Sequence, residues 1–131
     1  MDGTSGALFA IYLNALAAGL RAQNPPSRQQ IDVEIWASAA QTALESLGTY
    51  TPAREGDRTF IDALEPFVVA LKESKSLGAA AKAAREGAER TKGMKASLGR
   101  TVYVGGEAWK EVPDPGAYGL AELFLGFAEA V

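Results

Sequence analysis

The sequence predicts an all-α fold, a helical bundle or barrel of about five helices, in one domain over residues 1–131. Apolar residues recur at intervals of three and four along most of the chain, which is the spacing of one helix face. Short connections that contain Pro, Gly, Ser or Asp separate these apolar runs. The chain shows no alternation of strands with helices that would indicate a Rossmann or P-loop sheet.

The composition excludes several classes of site. The net charge is −3, from 13 basic and 16 acidic residues, whereas a nucleic-acid-binding domain normally carries a basic surplus. The chain has no cysteine, which excludes disulfides and thiolate metal sites. It also has no histidine, the commonest general base and zinc ligand. We therefore expect a cytoplasmic protein that does not bind nucleic acid.

The first helix is predicted over about residues 5–23. Leu8 begins a stripe at helical spacing, and Phe9 and Leu13 fill other faces, so this helix is expected to be buried nearly all round. The apolar run over residues 7–20 is too short to span a bilayer, and no basic segment precedes it as in a signal peptide. No contact with a membrane is expected.

The second and third helices have recognisable ends. Ser27, with Gln30 three residues later, matches a capping box at the start of the second helix. Gly48 is the predicted stop, because glycine tolerates the left-handed conformation common there. Asp57 is the predicted N-cap of the third helix. Pro66 lies inside that helix and is expected to kink it.

The fourth helix is predicted over about residues 76–94, followed by a non-helical stretch up to residue 113. Small side chains form its inner stripe, which allows a neighbouring helix to approach closely: Ala80, Ala84, Ala88 and Thr91.

Asp114 and Pro115 mark the start of the last helix. Asp114 suits the N-cap, and Pro115 suits the first helical position, where no N–H is needed. The inner face of this helix is predicted to consist of large apolar side chains: Leu120, Leu123, Phe124 and Phe127.

Two loops combine small or polar residues with a helix start, where the helix dipole favours an anion. The first contains Thr4 and Ser5, which suit a phosphate cradle, although an ordinary N-cap after a turn is the simpler interpretation. The second contains Arg58 and Thr59, which suit a phosphate contact, although a turn followed by a cap is the simpler interpretation.

A third candidate lies in the last long connection. Arg100 beside a glycine suits recognition of an oxyanion. Asp114, Pro115 and Gly116 would expose backbone groups to a flat base. The alternatives are a solvated surface charge for Arg100 and a plain helix cap for the other three residues.

Four sequence strings, in order and covering nearly the whole chain, resemble the C-terminal domain of ATP-dependent dihydroxyacetone (glycerone) kinases. The first string resembles the fungal branch most. The strings are DGTSGALFAIYLNALAAGL, GDRTFIDALEPFVVAL, AAREGAERTKGMKASLGRTVYVG and VPDPGAYGLAELF.

The resemblance implies an eight-helix α-barrel that holds ATP between loops at one end. It implies transfer of the γ-phosphate to dihydroxyacetone in glycerol and triose catabolism. The substrate would be bound covalently through a histidine of a separate domain or subunit, which is the partner that we expect for this chain.

The resemblance also implies roles for individual residues. Thr4 and Ser5 match a small-residue loop against the nucleotide phosphates, and Gly48 matches a glycine of the adenine pocket. Thr59 and Phe60 match a pair of which the second packs against the base; many members have methionine at the position of Phe60.

Two further matches complete the expected nucleotide site. Arg100 matches an arginine that contacts the nucleotide. The string Asp114, Pro115 and Gly116 matches a loop that closes the site. No catalytic residue and no metal ligand is assigned in this chain.

The chain also departs from the family pattern. The aspartates that hold Mg²⁺ in the family lie in a loop on helices before the first string, and this chain begins at that string. We therefore expect about two N-terminal helices to be missing and the isolated chain to be inactive, because phosphoryl transfer depends on metal charge neutralisation.

Two alternatives to an ATP-binding module remain. One is a non-catalytic interaction module derived from the kinase domain, because a barrel without two helices would expose apolar sides. Such a chain would bind a partner or a second copy of itself. The other is a helical scaffold that has lost nucleotide binding.

Overall fold

The computed structural model describes residues 3–23, 32–57, 59–94 and 112–130. Within these ranges the chain forms helices and turns and no strand, which confirms the all-α prediction. The helices in these ranges are α1 (Gly3–Ala22), α2 (Val33–Leu47), α3 (Ile61–Ser74), α4 (Leu77–Arg90) and α5 (Pro115–Ala130). No helix in the described part of the chain is both long and apolar enough to cross a membrane.

Helix α3 is the centre of the bundle, since it packs against α2, α4 and α5, and α1 packs against α2. Its fully buried side chains include Leu64 and Val68. The predicted alanine stripe of α4 is confirmed: Ala80, Ala84, Ala88 and also Thr91 are fully buried. These small residues let α3 and α4 approach closely.

The prediction that α1 is buried nearly all round is wrong. Tyr12 is its one buried residue among those with a described side chain, and its hydroxyl donates a hydrogen bond to the carbonyl of Ala40. Leu13, the next residue along the helix, is 47% exposed. The reason is that α2 is the main neighbour of α1 among the described elements.

The ends of α2 differ from the prediction. The helix begins at Val33, and the Asp32 carboxylate caps it by accepting the N–H of Ile35 at 3.0 Å. The predicted capping box at Ser27 lies outside the described residues. Gly48 does follow the last helical residue, but its backbone is right-handed, with φ −60°, so the left-handed expectation is wrong.

Helix α5 begins at Pro115, as predicted. Its inner face consists of Ala117, Leu120 and Ala121, with Phe124 stacked on Phe67 at 3.7 Å between ring centroids. Leu123 and Phe127 were predicted to face inward, but they are 57% and 55% exposed. Burial on α5 is concentrated in its first two turns.

Candidate functional site

The turn before α3 is held by hydrogen bonds from backbone N–H groups to the side chains of Thr59 and Asp62. The Asp62 carboxylate accepts the N–H of Thr59 at 2.8 Å, and the Thr59 hydroxyl oxygen accepts the N–H of Ile61 at 3.2 Å. Asp62 is 1% exposed and also accepts the N–H of Gly56 at 2.6 Å. Gly56 has φ +102°, a conformation that favours glycine. The turn is therefore fixed from both ends.

Asp57 is not the N-cap of α3, which corrects the prediction. Its carboxylate accepts the N–H of Arg54 at 2.8 Å and so closes the preceding turn. The side chains that bond to the backbone at the start of α3 are instead those of Thr59 and Asp62, two and five positions later. Together they accept the N–H groups of Gly56, Thr59 and Ile61, which is more than one cap would accept.

The start of α5 is held by Asp114 and Thr91. The Asp114 carboxylate accepts the N–H of Ala117 at 3.0 Å, which confirms it as the predicted cap. The N–H of Asp114 donates to the hydroxyl of Thr91 at 2.6 Å, and both residues are buried. The end of α4 therefore fixes the position of the Asp114, Pro115 and Gly116 loop.

The two loops meet where Gly116 lies against Phe60. A Cβ at Gly116 would stand 3.5 Å from the Cβ of Phe60 and 3.2 Å from a carboxylate oxygen of Asp114. The ring of Phe60 is buried, with its edge to the ring of Phe9 in α1 at 6.3 Å between centroids. Two of the predicted site segments, those with Phe60 and Gly116, are thus in contact. The start of α1, which holds the remaining segment, approaches them through Phe9.

The remaining predicted site residues are placed as follows. Thr4 and Ser5 lie in the first turn of α1 rather than in a loop before it, about one turn ahead of Phe9, and their side chains are outside the description. Arg58 and Arg100 lie outside the described residues. Gly48 follows the last residue of α2, where the nearest atoms to an added Cβ belong to Glu45 and Arg54.

Arg54 ties the end of α2 to this turn. Its guanidinium donates hydrogen bonds to the carbonyls of Gly48 at 3.1 Å and of Thr51 and Ala53 at 2.7 Å each. A cation near the C-terminal end of a helix also interacts favourably with the helix dipole. Arg54 therefore connects Gly48 to the segment that leads to Thr59.

An open hollow of about 440 Å³ lies on the other side of the α5 start. Lys92 and Glu89 form an ion pair in it at 2.9 Å, and the hydrogen bond from Lys92 holds the pKa of the Glu89 carboxyl below its usual range. Pro115 faces this hollow while Gly116 faces Phe60. The hollow is lined by Glu89, Lys92, Val112, Pro113, Pro115 and Tyr118.

The described part of this site suits the neutral part of a nucleotide. Pro115 at the α5 start is exposed, so its ring offers a surface on which a flat base can lie, whereas the space beside Gly116 is filled by Phe60 and the Asp114 carboxylate. The N-terminal ends of α1 and α5 favour an anion nearby. The carboxylates of Asp62 and Asp114 are buried and bonded to backbone N–H groups, which does not suit them as Mg²⁺ ligands.

Three residues that hold the site together were not among the predicted site residues: Arg54, Asp62 and Thr91. The sequence pattern does indicate Asp62, since Thr59 and Asp62 have the spacing of a capping box. Thr91 was assigned only to a packing stripe, because its partner Asp114 lies far along the chain. No sequence pattern indicates Arg54, since its partners are backbone carbonyls.

Comparison with known proteins identifies the family. The DAK2 domain family matches residues 1–129. The chain belongs to this family. It is 48% identical to dihydroxyacetone kinase 2 of Saccharomyces cerevisiae over 136 aligned residues, which cover 99% of this chain and 22% of that kinase.

Two crystal structures of the C. freundii dihydroxyacetone kinase match this DAK2 chain over its whole length. The native form has a TM-score of 0.71 at 34% identity, and the complex with AMP-PNP and Mg²⁺ has a TM-score of 0.64 at 33% identity. The chain covers 21% and 20% of these two structures. It therefore spans about a fifth of the length of the kinases that it matches.

Proposed function

We propose that this chain is the ATP-binding module of a dihydroxyacetone kinase, which transfers the γ-phosphate of ATP to dihydroxyacetone. The observation that carries the proposal is the contact between Gly116 and Phe60, at 3.5 Å from an added Cβ. It joins two segments that the resemblance assigns to one nucleotide site. A related kinase of 33% identity was crystallised with AMP-PNP and Mg²⁺, which supports a nucleotide as the ligand.

Each part of the nucleotide has a proposed contact. Thr4, Ser5 and Arg100 would hold the phosphates, which need hydroxyl, backbone and guanidinium donors. Gly116, with Asp114 and Pro115, would close over the base beside Thr59 and Phe60, and Gly48 would border the adenine. Because the ring of Phe60 is buried, it would act by supporting the Gly116 backbone more than by stacking on the base.

The chemistry would need parts of the kinase beyond these 131 residues. Mg²⁺, when bound, neutralises charge on the phosphates. No group of three or more His, Cys, Asp or Glu side chains that could hold a metal occurs in the described ranges. We propose that other parts of the kinase hold the metal and supply the dihydroxyacetone-binding domain. This chain contains no histidine to bind the substrate, so it would bind nucleotide without transferring phosphate by itself.

Calorimetric titration of the chain with ADP tests this function. We expect weak binding that Mg²⁺ improves little, and a Kd raised about tenfold or more by Arg100→Ala or by the double variant Thr4→Ala/Ser5→Ala, since each removes phosphate donors. Lys82→Ala is the matched control, because it removes an exposed cation from α4 outside the proposed site. Equal affinity in all four proteins, or no binding at millimolar ADP, would overturn the proposal.

A second candidate function is a non-catalytic interaction module, which the apolar surface of α5 favours. Leu123 and Phe127 stand four residues apart on one helix face and are each more than half exposed. Light scattering tests it: the mass should exceed the 13.7 kDa of one chain and return to that value in Leu123→Ser/Phe127→Ser. If the unsubstituted chain has the mass of a monomer, self-association through this surface is wrong.

A further inference from the structure

The side chain of Thr91 connects the end of α4 to the loop that begins α5. Thr91 follows the last helical residue of α4 and is fully buried. Its hydroxyl donates to the carbonyl of Ala88 at 2.5 Å and accepts the N–H of Asp114 at 2.6 Å. Both hydrogen-bonding roles of the hydroxyl are therefore used, one toward its own helix and one toward the loop.

The hydrogen bond from Asp114 fixes more than one residue. The Asp114 carboxylate caps α5 through Ala117 and lies 3.2 Å from the position of a Cβ on Gly116. Gly116 in turn lies against Phe60. A displacement of the Asp114 backbone would therefore move Gly116 away from Phe60, although Thr91 itself is buried behind the loop.

We propose that Thr91 is a positioning residue for nucleotide binding, whose buried hydroxyl holds the Asp114, Pro115 and Gly116 loop in the arrangement that receives the nucleotide. This inference rests on the proposed function, since it concerns the same site. Thr91 is fully buried and would act on the nucleotide only through the loop. It raises the fraction of the chain in which the loop is ready to bind.

Valine is the substitution that isolates the hydroxyl, because it keeps the branched shape of threonine and removes the donor and the acceptor. The buried N–H of Asp114 would lose its partner and the loop would populate other arrangements. If the binding arrangement falls to about a tenth of the population, the apparent Kd rises about tenfold. Serine retains the hydroxyl and should restore the affinity.

The experiment is a calorimetric titration with ADP of the 131-residue chain and its Thr91→Val and Thr91→Ser variants, well below their unfolding temperatures. Val68→Ala is the control for general destabilisation, because Val68 is fully buried in α3 about two turns beyond Phe60. We expect a Kd about ten times higher for Thr91→Val, and values within about twofold of the unsubstituted chain for Thr91→Ser and Val68→Ala.

The outcomes separate this inference from the proposed function. If the unsubstituted chain binds ADP and Thr91→Val binds equally well, the positioning role is wrong and the function stands. If the unsubstituted chain does not bind, both are wrong for this chain. Equal weakening by Val68→Ala would show that only stability matters and would also overturn the role.

If Thr91→Val does not fold, hydrogen exchange of the unsubstituted chain tests the positioning role of Thr91 instead. The Asp114 N–H of the unsubstituted chain should exchange slowly without nucleotide, and ADP should change that rate little, because the hydroxyl already holds the loop. Fast exchange of this amide in the free chain, slowed by ADP, would show that the ligand and not Thr91 orders the loop.

Discussion

Gly87 of α4 packs directly onto the backbone carbonyl of Asp62 in α3. A Cβ at Gly87 would stand 2.1 Å from that carbonyl oxygen and 2.9 Å from the Cγ of Pro66. Pro66 has no N–H to donate to the carbonyl four residues earlier, so the Asp62 carbonyl lacks its usual helical partner. A residue without a side chain on α4 lets the two backbones meet at this point. Pro66 is accommodated within the continuous helix Ile61–Ser74.

Gly87→Ala should therefore be strongly destabilising, although alanine is normally the better helix former. The added methyl group would overlap a backbone oxygen, which can move only if α3 and α4 separate. We expect a loss of about 3 kcal/mol in the free energy of unfolding, measured by urea denaturation. Gly78→Ala is the control on the same helix, because its nearest atom is the Ser76 hydroxyl oxygen at 3.9 Å. It should stabilise the chain by up to about 1 kcal/mol, and equal effects of the two substitutions would contradict the packing.

Asp62→Asn should destabilise the chain by about 1–3 kcal/mol, because an amide replaces one of the acceptor oxygens that bind the N–H groups of Gly56 and Thr59. Urea denaturation at pH 7 measures the loss. Glu65→Gln is the matched control on the same helix, since the Glu65 carboxylate makes no hydrogen bond or ion pair with the part of the chain described here. A loss of less than about 0.5 kcal/mol in Asp62→Asn would contradict the role of this carboxylate in fixing the turn.

Tyr12 should make the chain less stable in alkaline solution. Burial raises the pKa of its phenol above the ordinary value of 10.0, so the unfolded chain loses this proton at a lower pH than the folded chain. Its contribution to stability is complete below pH 10 and falls as the pH rises further, by about 1 kcal/mol at pH 11. Comparing urea denaturation at pH 8 and pH 11 with that of Tyr12→Phe removes the effects of the lysines. The same decline in both proteins would show that Tyr12 does not ionise in this way.

The sequence was sufficient to predict the helices but not to predict all of the residues at which they begin and end. Periodic apolar residues and caps such as Asp114 are local signals, and the structure confirms them. At α3 two capping signals stand close together, at Asp57 and at Thr59 with Asp62, and the prediction of Asp57 as the N-cap is wrong. The choice depends on the backbone angles of the turn, including the positive φ of Gly56, which the pattern of residues alone does not specify.

Burial and the geometry of the site depended on long-range packing. Leu123 and Phe127 fit an inward stripe by spacing, but their exposure depends on how far the neighbouring helices extend. The need for glycine at position 87 comes from a carbonyl in another helix. The contact of Gly116 with Phe60 likewise joins distant segments, so only the family resemblance assigned both of them to one site in advance.

The most direct test of nucleotide binding at this place is the change in backbone amide NMR signals when ADP is added to the ¹⁵N-labelled chain. We expect the largest changes at Thr59, Phe60 and Gly116, and little change at Ser74 and Ser76, near the other end of α3 about 20 Å away. Changes concentrated at that far end, or unchanged signals at Phe60 and Gly116 with millimolar ADP, would contradict nucleotide binding at this place.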